Sequence, residues 1–146
     1  MPTAAKLITG IFMALYAMLA AELYRANLPE DLANYYFVLM NGLYGMIVGW
    51  KLVGGRAGRG ITSGINNGIT ATVALVVVSL FFNSVRLMMY QSIDNRYRSL
   101  TDGLQDIPQM MFDYGLLLGQ MDIIATLVIG AVLVGILGES VARRWS

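Results

Sequence analysis

Gly54-Gly55-Arg56-Ala57-Gly58-Arg59-Gly60 interrupts a chain that is otherwise mostly apolar, and Lys51 stands just ahead of it. Hydrophobic runs too long for ordinary core helices lie on both sides. The stretch therefore reads as a short cationic turn between two membrane-spanning helices, and its charge decides which way the chain faces.

Immediately before the turn, the run from Tyr35 to Val53 opens on Tyr35-Tyr36-Phe37 and closes on Trp50-Lys51, which puts aromatic residues at both interfaces. Gly42, Gly45 and Gly49 recur within it at three- and four-residue spacing and make one smooth helix face that another helix can approach closely. After the turn, Gly64 and Gly68 lead into the most hydrophobic run, which ends at Arg86. Thr70, Thr72 and Ser79 can bond back to their own helix backbone. The amides Asn41, Asn66 and Asn83 want partners in hydrocarbon and are read as interhelical packing contacts.

Further out, Leu7 to Ala21 is a run of about 15 residues, short for a span of about 20. Lys6 can snorkel, and Leu23 and Tyr24 extend the run into the interface. It reads as a retained helix rather than a signal peptide, because no small-x-small cleavage site follows. The last run, Ile123 to Leu137, carries Gly130, Ala131 and Gly135 as a second small face, and Arg143-Arg144-Trp145 anchors its end. The expected fold is a single all-α membrane domain over 1–146, with spans at about 7–25, 35–53, 65–86 and 122–138.

Between the third and fourth spans, Arg86 to Asp122 carries too many charges to cross a bilayer. Leu104, Ile107, Met110, Met111, Tyr114, Leu117 and Leu118 nevertheless recur at helical spacing. Asp106 is a plausible N-cap, with Pro108 in the first turn and Gln109 three residues after the cap. An amphipathic interfacial helix is expected over about 107–118. Ile107, Met110, Met111, Tyr114 and Leu118 would be its docking face toward lipid or a partner.

Composition narrows the function classes. Charged residues make up 13% of the chain and hydrophobic residues 57%, with a mean hydropathy of +0.62; a soluble domain carries about 25% charged residues. Cysteine and histidine are both absent. That removes thiol chemistry and any histidine acid/base or ligand role. No nucleophile elbow or phosphate-binding loop is present, and no charge falls in the middle of a run, where a transporter would place one. A non-enzymatic protein without cofactor, metal or nucleic acid is expected, its partners being membrane lipids and other membrane subunits or a second copy of itself.

Four spans put the N-terminus, the central turn and the C-terminus on one side. That side holds Lys6, Lys51, Arg56, Arg59, Arg143 and Arg144 against Glu139 alone; the other holds four arginines, Arg25, Arg86, Arg96 and Arg98, and the remaining acids. Lysine and arginine set orientation, so both termini are expected in the cytoplasm and the acidic connection outside. Lys51, Arg56 and Arg59 have two readings. Glycines let backbone N–H groups converge in an anion-binding nest beside arginine, and a positive turn also meets anionic lipid headgroups. Asp94, Asp102, Asp106 and Asp113 lack calcium-loop spacing and read as solvated surface. The ten methionines read as core filler.

Pro2-Thr3-Ala4-Ala5-Lys6-Leu7, Arg56-Ala57-Gly58-Arg59-Gly60, Phe112-Asp113-Tyr114-Gly115 and Arg143-Arg144-Trp145 together resemble the TrgA family across the whole chain. These are small integral membrane proteins of photosynthetic and marine alphaproteobacteria, named for an association with tellurite resistance. The resemblance implies a bacterial inner-membrane protein and brings no catalytic residues with it. It leaves open a subunit packed beside a photosynthetic or respiratory complex and a direct oxyanion-handling role.

Overall fold

A computed structural model describes residues 3–30, 32–94 and 96–145. Pro2 of the resemblance motif and Asp31 of the acidic side lie outside the described residues. Every regular element among the described residues is helical: α1 (Thr3–Arg25), α2 (Tyr35–Val48), a π-helical turn (Gly49–Val53), α3 (Gly54–Arg56), α4 (Ile61–Ile93), α5 (Leu100–Leu117) and α6 (Met121–Arg144). Four helical stretches are long and apolar enough to cross a membrane, α2 running through the π turn into α3 as one of them. This is an all-α, multi-pass membrane protein with one shorter helix between its last two spans.

Lipid tails are as apolar as leucine, so the hydrophobic effect does little to hold spans together; close van der Waals approach does. Along the α1–α2 seam, a Cβ added to Gly45 would lie 2.6 Å from the Met13 carbonyl oxygen, and one on Gly49 would lie 2.7 Å from that of Thr9. Gly42 meets Met18 at one end of the seam, and Gly54 meets Thr9 and Lys6 at the other. The two helices therefore run antiparallel. On the α4–α6 seam Gly64 and Gly68 face Gly135 and Ala131 backbone to backbone, and Gly130 receives the Tyr16 ring of α1. Tyr44 stacks on Phe82 with ring centroids 5.1 Å apart, which joins α2 to α4. The four spans form a ring in the order α1, α2, α4, α6, neighbours antiparallel throughout.

Two tyrosine hydroxyls tie this ring across long sequence separations. Tyr16 donates to the Leu127 carbonyl at 2.9 Å. Tyr24 donates at 2.7 Å to the Tyr114 carbonyl, which α5 leaves free because the Leu118 N–H turns to Gly115 and Leu116 instead. The π turn at Gly49–Val53 widens the end of the second span. It ends on Val53, only 1% exposed and packed against Gly138.

α1 begins at Thr3 and α6 ends at Arg144, beyond the sequence-based spans, and two further elements differ more. At 33 residues α4 is about 50 Å long, so it projects well beyond a hydrocarbon core of about 30 Å. The connecting helix begins at Leu100, capped by Ser99, whose hydroxyl accepts from the Asp102 N–H at 3.3 Å. Asp106 is therefore no cap, and Pro108 sits inside the helix. Proline is tolerated there because Leu104, whose carbonyl loses its partner, is itself exposed, so water can take that carbonyl up.

Candidate functional site

The central turn is built around a carboxylate from the far end of the chain. Gly58 and Gly60 adopt φ of 100° and 110°, backbone that side chains resist. That conformation turns successive N–H groups inward. Gly58 N–H donates to Glu139 Oε2 at 2.8 Å and Gly60 N–H to Oε1 at 2.7 Å, with the Arg59 amide contributing. Arg143 Nε donates to Oε1 from 3.3 Å. Glu139 is only 2% exposed, and the groups around it are donors, the pattern of an anion nest.

Arg56, Arg59 and Lys51 do not converge on that anion. Their side chains are exposed and have no acidic partner among the described residues. The nest is thus filled from within, and an external oxyanion would have to displace Glu139. Its carboxylate clamps the α3–α4 turn to α6, and the cations around it form an exposed rim together with Arg143 and Arg144. Sequence reasoning passed over Glu139 as a clamp. The available signal was that it is the one acid on an otherwise cationic side.

At the opposite end, α5 doubles back along α4: Gly103 lies against Met88, and Gly115 against Leu80. Ile107 is buried, and Met110, Met111, Tyr114 and Leu118 are half-buried, Tyr114 and Leu118 lying over the interior of the bundle. Burial pushes the Tyr114 phenol above its ordinary value, with the Asp113 charge adding to the effect, which keeps it neutral at physiological pH. A second apolar ridge points away from the bundle. Leu100, Leu104, Phe112 and Leu116 are 74%, 56%, 63% and 64% exposed, and Pro108 continues the line between them. Residues four apart lie one above another on a helix, so these five make a continuous strip. Asp102, Asp106 and Asp113 are exposed elsewhere on the helix, and no lysine or arginine occurs in α5.

The predicted polar contacts divide. Asn41 and Asn83 approach across α2 and α4 at 3.5 Å, and each also donates to a carbonyl of its own helix at 2.7 Å. Asn66 is exposed and takes no such part. Among the described residues no group of three or more acidic side chains converges as metal ligands would.

Comparison of the chain with protein-family models, with curated proteins and with solved structures finds no match in any of the three.

Proposed function

We propose that this protein is a non-enzymatic subunit of the bacterial inner membrane that works by docking the outer ridge of α5 on a neighbouring membrane protein. The charge of α5 as a whole carries the reading. A helix that rests on anionic lipid is rich in lysine and arginine on its polar face; α5 carries three aspartates and no basic residue. Headgroups would repel it, whereas a protein groove with a cationic rim would complement both its apolar strip and its acids. The resemblance to TrgA proteins is consistent with such a role in a photosynthetic or respiratory assembly, with both termini cytoplasmic by the six-to-four basic count. Oxyanion handling in tellurite resistance is the weaker reading, since Glu139 already fills the one nest of converging amides described here.

Extraction in mild detergent tests the proposal. The parent should migrate with a second, different polypeptide, and Phe112→Glu with Leu116→Glu should release it while all four spans stay inserted. A lone homo-oligomer that binds tellurite would refute the proposal.

A further inference from the structure

The half of the bundle nearest α5 is incompletely filled. Facing alanines, Ala17, Ala20 and Ala21 on α1, leave an apolar cavity of about 90 Å³ against α4 and α6, roofed by Tyr114 and Leu118 of α5. It follows α4 from Leu75 to Leu87, about 18 Å of helix. Its polar groups gather at one end. Asn83 and Arg86, three residues apart on α4, reach its wall, with Ser84 beside them.

Two of these groups are unused donors. Ser84 is 1% exposed, yet its hydroxyl has no hydrogen-bond partner among the described residues. A helical serine at this depth ordinarily bonds the carbonyl four residues back, and a buried hydroxyl left alone is costly. Arg86 is half-buried and has no ion-pair partner among the described residues. Asn41 and Asn83 each donate to a backbone carbonyl of their own helix, and Asn83 donates also to Asn41 Oδ1. The amide oxygens of Asn41 and Asn83 among its lining are neutral acceptors, whereas the complement of an unpaired arginine is an anion.

We propose that the cavity binds a single-chain amphiphile with a carboxylate head, a long-chain fatty acid. Its tail lies between α1 and α4, and its carboxylate meets Arg86 at the rim, with the Ser84 hydroxyl as a further donor in the wall. Room for about six water-sized spheres suits one alkyl chain and not the paired chains of a phospholipid. The cavity is not fully enclosed, so the rest of the tail can leave between the helices. This site stands apart from docking by α5, whose inner face only roofs it.

The test is photolabelling of the purified protein in an uncharged maltoside detergent with palmitate carrying a diazirine in its chain, mapped by peptide mass spectrometry. Label should fall on cavity residues such as Leu80 and Leu127 and be competed by unlabelled palmitate, but not by hexadecanol or a diacyl phosphatidic acid. Arg86→Gln should cut labelling about tenfold, the loss expected of one charge-assisted contact, and Arg86→Lys should retain part of it. Ser84→Ala should weaken labelling without lowering the thermal unfolding temperature of the helices, since the lone hydroxyl it removes is itself costly. Label confined to lipid-facing residues such as Leu15 and Val128, equal competition by hexadecanol or phosphatidic acid, or unchanged labelling of the Arg86→Gln protein would overturn the proposal.

Discussion

Replacing Glu139 by alanine removes the acceptor on which the central turn is folded. Two backbone N–H groups lose a carboxylate at 2.8 and 2.7 Å, and bonds to a charged group contribute about 1.5–3 kcal/mol each. Gly58 is exposed and Gly60 half-buried, so water takes over part of what they lose and the total falls toward the lower end. The Arg143 contribution is small, because that side chain is 59% exposed and surface pairs are worth about 0–1 kcal/mol. A loss of about 2–4 kcal/mol results, or a fall in Tm of about 4–16 °C for a chain of this size. Thermal unfolding followed by helical circular dichroism in detergent reads it directly. Glu139→Gln keeps one acceptor and should fall between parent and alanine variant. Formate, a carboxylate small enough to enter the emptied nest, should restore part of the loss. An alanine variant that melts with the parent would refute the clamp, and Arg143→Ala matching its loss would shift the stabilisation to the ion pair.

Other perturbations separate packing, backbone and topology. Leucine at both Gly45 and Gly49 should prevent stable assembly of α1 on α2, since a first carbon alone already lies within 2.7 Å of α1 backbone oxygens; overpacking costs about 1–3 kcal/mol per site or more, and normal accumulation in detergent would contradict the seam. Gly60→Ala should cost about 1–3 kcal/mol through its backbone conformation alone, because nothing lies within 4 Å of the added carbon, while Gly55→Ala, equally open and without a positive φ, should melt with the parent. The natural chain has no cysteine, so Gly55→Cys and Gln105→Cys can report sidedness: an impermeant thiol reagent should label position 105 and spare position 55 in intact spheroplasts, and the reverse pattern would invert the orientation.

The four spans were legible because membrane crossing imposes a length and an apolar composition that the sequence displays openly. The glycine spacing was legible for a related reason, since a face without side chains is conspicuous wherever it falls. The limits of the connecting helix were harder to read. Asp102 and Gly103 resemble loop residues, and only the seating of Gly103 on Met88 explains why the helix begins as early as Leu100. The apolar residues of α5 occupy two faces, and periodicity does not say which one α4 covers. Glu139 shows the same limit more sharply. Its partners lie 79 and 81 residues away in the chain, and nothing local to position 139 announces them. The nest was visible as a glycine pattern, but its occupant followed only from the antiparallel return of α6 beside α4.

The docking role of α5 is tested most directly by a photoreactive amino acid placed at Phe112, with Leu133, an exposed residue in the last span, as the lipid-facing control. Illumination of intact membranes should join position 112 to a second, different polypeptide and leave position 133 bearing lipid alone. Lipid adducts of the same kind at both positions would contradict the docking role and place the α5 ridge in the bilayer.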